Sequence, residues 1–248
     1  MKYMGSKSRI AKHIVPILQD CIDKNNIECY IEPCVGGANI IDKINCKRKI
    51  GADKNKYLIA LLKRAQDGSP LYDFVSKELY DKARTAFNNG NTSEFEDWEI
   101  GNIGFLASYN GRWFDGGYAK PGYEKTKNSE RYRDYYQEAK NNILTQSPYL
   151  KEIEFVCCDY THWLEQKDCL FYVDPPYQGT KQYANAMNFD YDLFWNTMRQ
   201  LSKDNIVFIS EQNAPDDFEC IWQQEVSRSI KATNKSKSTE KLFKLKTD

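Results

Sequence analysis

Ile10, Ile14, Leu18 and Ile22 recur every four positions, the spacing of one helix face, and predict an opening helix despite Pro16. Glu28-Cys29-Tyr30-Ile31 then reads as a strand that runs into Glu32-Pro33-Cys34-Val35-Gly36-Gly37-Ala38. A second strand, Lys49-Ile50-Gly51-Ala52, ends at Asp53 and precedes a helix through Leu58, Leu61 and Leu62. Glu154-Phe155-Val156-Cys157-Cys158 forms a third strand leading to Asp159, and Cys169-Leu170-Phe171-Tyr172-Val173 a fourth. The fifth is Asn205-Ile206-Val207-Phe208-Ile209-Ser210, with an amphipathic helix through Phe194, Met198 and Leu201 before it. Strands alternating with helices imply an α/β domain on a mostly parallel sheet. Segments 225–230 and 241–246 flank a polar Asn/Lys/Ser loop and are candidates for an antiparallel edge pair.

The second and third strands lie further apart than one crossover requires. Residues 70 to 150 hold a helical pattern (Phe74, Val75, Leu79, Ala83, Phe87) and the segment Tyr109-Asn110-Gly111-Arg112-Trp113-Phe114-Asp115-Gly116-Gly117-Tyr118. The expected division is a core domain of residues 1–69 and 150–248, with a mostly helical insert over 70–149. Asn110-Gly111 is a hairpin turn signal within it.

Composition narrows the class. The chain has 248 residues, enough for one large domain with a sizeable core. No apolar segment approaches membrane-spanning length and the first residues lack a signal peptide's apolar stretch, so a soluble cytoplasmic protein is expected. The eight cysteines form no Cys-x-x-Cys pair and only His13 and His162 could assist, so structural thiols are expected and no metal site. Formal net charge is zero, yet cations concentrate in residues 1–12, in the tail after Val226, and among aromatics over 107–140 (Arg112, Lys120, Lys125, Lys127, Arg131, Arg133). Together these runs permit a basic surface.

The chemistry gathers where strands end. The fourth strand stops at Asp174-Pro175-Pro176-Tyr177, where two prolines remove two N–H donors and fix φ twice. The result is a stiff corner holding an acceptor-only carboxylate beside an aromatic ring, suited to gripping a planar group with an amino donor, such as a nucleobase. Gly36-Gly37 lets a ligand approach the backbone, and Asp53, 21 positions after Glu32, can accept hydrogen bonds from ribose hydroxyls. That pairing points to a nucleoside-containing cofactor.

Taken in order, Tyr3-Met4-Gly5-Ser6-Lys7, Glu32-Pro33-Cys34-Val35-Gly36-Gly37, Asp53, Asp159-Tyr160 and Asp174-Pro175-Pro176-Tyr177 resemble the DNA adenine methyltransferase (Dam-like) family across almost the whole chain. The resemblance implies S-adenosylmethionine as cofactor and a Rossmann-like methyltransferase sheet, mostly parallel with an antiparallel C-terminal edge. It also implies that the insert is a target-recognition subdomain acting on double-stranded DNA. By the same resemblance, Tyr3, Lys7, Glu32, Pro33, Gly36, Asp53, Asp159, Tyr160 and Asp174 would hold the cofactor, with Lys7 facing its carboxylate. Asp174, Pro175, Pro176 and Tyr177 would hold a flipped adenine, and Asn110 and Arg112 would read DNA, unless Trp113, Phe114 and Tyr118 merely pack the insert. Cys34 stands where the family commonly has phenylalanine, and Ala38 where a third glycine is frequent. A restriction endonuclease counterpart belongs to this picture. The alternatives are an RNA adenine or DNA cytosine amino-methyltransferase, or a catalytically silent DNA-binding relative.

Overall fold

Alternation along the strands sets the layers. In β6 (Cys169–Val173) all five residues are buried. Leu170 and Tyr172 pack into one apolar cluster, and Cys169, Phe171 and Val173 into another on the opposite face. A sheet buried on both sides must carry helices on both sides. The computed structural model, which describes residues 1–125, 130–178, 189–231 and 234–246, shows this three-layer α/β/α arrangement.

One face is covered by α1 (Ala11–Asn25), α2 (Lys56–Gln66), α3 (Lys77–Asn88), α4 (Asp97–Gly101) and α5 (Tyr135–Leu150). The other carries a short turn over Tyr160–Trp163 and α6 (Tyr191–Leu201). Local chemistry starts these helices where they start. Asn55, Ser76, Asp134 and Asp190 each accept a hydrogen bond from a first-turn N–H, at α2, α3, α5 and α6. Pro16 lies inside α1 and forfeits one helical bond, while Ile14, Leu18 and Ile22 anchor that helix in the core.

The remaining strands are β1 (Cys29–Glu32), β2 (Arg48–Asp53), β3 (Gly122–Lys125), β4 (Glu130–Arg133), β5 (Ile153–Cys157), β7 (Ile206–Glu211), β8 (Phe218–Lys231) and β9 (Asn234–Leu245). The main sheet runs in the order β5-β2-β1-β6-β7-β9-β8. The first five of these strands are parallel, and β9 and β8 close the sheet as an antiparallel edge. The mostly parallel sheet with an antiparallel edge is the Rossmann-like arrangement expected. Strand order reverses between β1 and β6, so a crevice opens there at the carboxyl ends, the usual ligand site of such sheets.

Two sequence expectations change. Residues 234–240, read as a polar loop, are strand: Thr239 pairs with Glu225 and Lys241 with Gln223. This run contains no glycine or proline, and pairing with β8 overrides its polarity. Since β9 meets β7 only from Lys241 to Phe243, the β8–β9 ribbon continues past the carboxyl end of β7.

Segment 109–118 is not a two-residue hairpin. Ser108 bridges Tyr118, and the Tyr109 N–H donates to Gly117 O at 2.9 Å, enclosing a wider loop. Asn110 and Gly111 adopt left-handed φ of 57° and 66° near one arm of that loop, not at its tip. The extra length lets Trp113 and Phe114 reach the core, where both are buried. The two-stranded hairpin of this region is β3–β4 instead. Lys127, part of the basic–aromatic stretch, lies outside the described residues.

Candidate active site

At the reversal point the ends of β1, β2, β6 and β7 each deliver an acid: Glu32, Asp53, Asp174 and Glu211. On the β1–β2 side of the crevice, Gly36 takes φ 49°. A Cβ there would meet the Tyr3 ring at 3.0 Å, and one at Gly37 would meet Tyr3 Cβ at 2.9 Å. Only glycines let Tyr3 lie on this turn. Ala38, in the place of the third glycine, is also left-handed at φ 55° and is buried.

Asp53 closes the turn. Its carboxylate accepts from the Asn55 N–H at 2.9 Å and the Gly36 N–H at 3.4 Å. Burial nevertheless raises it to about 6, against those hydrogen bonds. Glu32 is buried and accepts from the Tyr30 hydroxyl at 2.7 Å; burial lifts it well above the carboxylate range. Burial also pushes the Cys34 thiol up, reinforced by Asp53, Asp174 and Asp159, so these three acids surround it. Asp159 is exposed and caps the following turn through the Thr161 N–H, whereas Tyr160 is buried against Phe194.

On the other side stands the Asp174 corner. Lys7 Nζ approaches Asp174 Oδ1 at 2.8 Å and Glu240 Oε2 at 3.8 Å. It also lies 4.4 Å from the Tyr177 ring centroid, a cation–π contact in a largely dry setting. Asp174 Oδ1 is buried, and Lys7 at 2.8 Å is the cation that faces it. Burial is the largest influence on Asp174 and raises it to about 6, partly opposed by Lys7. The Tyr177 hydroxyl donates to Glu240 Oε2 at 2.7 Å, and Tyr191 donates to the Pro176 carbonyl at 2.9 Å. Glu211 accepts the Gln178 N–H at 2.6 Å and that of Gln212, fixing the chain just after the corner. Pro33 follows Glu32 and is buried.

The structure therefore brings Lys7, Asp174 and Tyr177 together, with Tyr3, Gly36 and Asp53 beside them. Glu211 and Glu240 were missed in the sequence. Glu211 had a signal, an acid ending the fifth strand beside the fourth; Glu240 had none, since Tyr177 is 63 positions away and Lys7 further still. Asn110 and Arg112 flank Gly111, where a Cβ would meet Lys2 O at 2.8 Å and Tyr3 Cα at 3.3 Å, so their loop borders the Tyr3 side of this cluster. Asn110 is exposed, while Arg112 is half-buried, with an unpartnered buried Nε and its outer nitrogen on Asp115 Oδ2 at 2.7 Å.

The residues suit a nucleoside methyl donor: a glycine turn that a Cβ would fill, a buried acid at the end of β2 tied to that turn, and a carboxylate at the end of β6. Fold and site together define a Rossmann-like transferase with an Asp-Pro-Pro-Tyr corner at the end of β6. Comparison with known proteins makes this specific. The family model for D12 class N6 adenine-specific DNA methyltransferases matches residues 3–218, and the chain belongs to that family. It is 27% identical over 224 residues to type II methyltransferase M.MjaIII of Methanocaldococcus jannaschii, covering 77% of this chain and 74% of that one. It is 21% identical over 217 residues to type II methyltransferase M.FokI of Planomicrobium okeanokoites, covering 81% of this chain but 32% of that longer relative. A conserved hypothetical protein of Streptococcus pyogenes aligns over 88% of this chain and 86% of its own at 8% identity, with a TM-score of 0.35, too loose a match to bear on the fold. Methyltransferases of this family use S-adenosylmethionine, and their substrate is DNA. No helix among the described residues is long and apolar enough to cross a membrane.

Proposed function

We propose that the Asp174 corner and the Gly36–Gly37 turn are the two halves of one site that methylates N6 of a flipped adenine in duplex DNA. The observation that carries this reading is the Asp174 carboxylate at the carboxyl end of β6, its Oδ1 buried with Lys7 Nζ at 2.8 Å, across the reversal point from the glycine turn. Bound there, S-adenosylmethionine would supply an electrophilic sulfonium methyl. Tyr3, Glu32, Pro33, Gly36, Asp53, Asp159 and Tyr160 are assigned to holding it, with Asp53 on the ribose hydroxyls.

Adenine's amine is a poor nucleophile because its lone pair is delocalised into the ring. The Asp174 carboxylate and the Pro175 carbonyl would each accept one amine hydrogen, turning the lone pair out of the ring plane. The carboxylate also opposes positive charge developing on that nitrogen. Pro176 keeps the corner stiff, and Tyr177 offers a ring face to the base. Leaving the duplex costs a few kcal/mol, offset by that face and by backbone contacts. In the present arrangement Lys7 covers both groups; moving to the cofactor's carboxylate would free them.

Residues 70–149 are assigned to target recognition. Asn110 and Arg112 remain part of that assignment, the latter through the loop it braces with Asp115. The β3–β4 hairpin adds Tyr123 and Tyr132, 72% and 53% exposed and in edge contact at 5.3 Å. Exposed paired aromatics on a hairpin suit insertion at unstacked bases. A restriction endonuclease with the same target, acting inside the cell, completes the proposal, consistent with the type II naming of both relatives.

Labelled S-adenosylmethionine supplied with duplex DNA, duplex RNA or free nucleoside tests the reading. Label on N6 of adenine in duplex DNA is expected. Label only in RNA, only on cytosine, or on nothing would overturn it.

A further inference from the structure

We infer that Glu240 is a positioning residue of the methyl-transfer site, holding the Tyr177 hydroxyl and sharing Lys7 so that Asp174 remains available to the adenine amine. The inference rests on the adenine-methyltransferase reading above. Glu240 lies beyond the residues matched by the family model, which end at 218. It reaches the site because β9 pairs Lys241 with Glu211 at the end of β7, setting the next residue just past the catalytic edge.

The geometry separates its role from that of Glu211. Glu211 accepts backbone N–H groups and fixes the chain at Gln178 and Gln212. Glu240 instead takes the Tyr177 hydroxyl at 2.7 Å and faces Lys7 at 3.8 Å. An ammonium committed wholly to Asp174 would compete with the amine for the same oxygen. It would also cancel the negative charge that the transition state needs. A second carboxylate on the far side of Lys7 weakens that commitment, and its hold on Tyr177 fixes the ring that the base must meet.

Asp174 is faced by Lys7 from the first turn, Glu32 and Cys34 after β1, Glu211 from β7, Tyr177 from its own corner and Glu240 from β9, with Tyr172 behind it. Of these, Glu240 raises Asp174 and Lys7 lowers it. Glu240→Gln removes a negative charge and throws Lys7 onto Asp174. Both changes favour the Asp174 carboxylate and move its titration to lower pH.

The experiment is single-turnover methyl transfer to duplex DNA across pH 5–8, for the full-length wild type, Glu240→Gln, Glu240→Asp and Tyr177→Phe. For Glu240→Gln the expected result is a transfer rate at least roughly tenfold lower, with cofactor affinity lowered as well because a Lys7 held by Asp174 is withdrawn from the cofactor's carboxylate. Its acid limb should fall at lower pH than in the wild type, and Glu240→Asp should recover part of the rate. Tyr177→Phe, which loses the hydroxyl and keeps the ring, should slow transfer without moving the limb downward as far. An unchanged rate in Glu240→Gln overturns the inference. A slowed rate with an unmoved acid limb also overturns it, because that is what structural damage alone would give. If the wild type transfers no methyl to adenine, the parent reading falls and this one with it; normal wild-type transfer beside an unaffected variant removes only the role of Glu240.

Discussion

A carboxylate that accepts hydrogen bonds from an amine works only while ionised. With Asp174 raised to about 6 by burial, turnover at saturating substrates is expected to decline as pH falls through about 6. A rate profile that stays flat down to pH 4.5 would contradict this assignment. Asp174→Ala should cost at least about a hundredfold in transfer while leaving the melting temperature nearly unchanged, because it empties a crevice and not a core. Asp53 carries a stability signature as well. Its folded-state value of about 6 exceeds the value near 4 of an unfolded carboxyl, so the folded protein holds the proton longer. That contribution is full below about pH 4 and is lost as pH rises through about 6. The unfolding free energy of Asp53→Asn, measured in urea against the wild type, should therefore shift in the variant's favour between pH 4 and pH 7.5. Of these residues, Asp174 and Asp53 were legible because each ends an apolar run, where an acid is out of place. Glu240 sits in a run of Lys, Ser and Thr that looks like any solvated surface; only the β7–β9 register brings it inward.

Among the elements, the glycine turn is the most sensitive. Gly36→Ala forces a Cβ against Tyr3 at φ 49°, a left-handed position costing about 1–2 kcal/mol for an L-residue. Titration calorimetry should show weaker cofactor binding. Ala38→Gly is the converse: relief of the same strain offsets the entropy of glycine, about 1 kcal/mol, so stability should change little. In the β3–β4 hairpin, Tyr123→Ala or Tyr132→Ala should weaken DNA binding by about 1–3 kcal/mol if each ring stacks on a base. Gel-shift titrations should show that loss with cofactor affinity unaltered. The buried strands were legible as continuous apolar runs, and their helices as four-residue spacings. The hairpin was not, because its apolar rings point outward among charges, where neither period leaves a trace. The 109–118 loop misled for a related reason: Asn110-Gly111 adopts the expected backbone, but burial of Trp113 and Phe114 decides the loop's size.

For the whole molecule, the division at residues 70–149 meets a shared core. Val75, Tyr80, Ile100, Ile103 and Ile143 belong to the same apolar cluster as Ile14, Leu18, Leu58 and Tyr30. Residues that share one core lose it together, so thermal unfolding should be a single transition. Ile103→Ala, at a fully buried position, should cost about 2–5 kcal/mol and lower the midpoint equally for probes in the sheet and within residues 70–149. Two separated transitions would show that the region folds on its own. Sequence reading divided the chain at the long gap between strands; it had no means of seeing that α5, which delivers the chain to β5, packs on α2.

The contact of Lys7 and Tyr177 with Glu240 also bears on synthesis. On the ribosome, α1, β1 and the Asp174 corner leave the exit tunnel long before β9 does, and contacts so distant in sequence form late. A nascent chain can thus assemble most of its sheet while Tyr177 still lacks its carboxylate partner. The complete corner waits for β9, and a prematurely released fragment that ends before it would carry Asp174, Tyr191 and Glu211 but lack the Glu240 carboxylate that holds the Tyr177 hydroxyl.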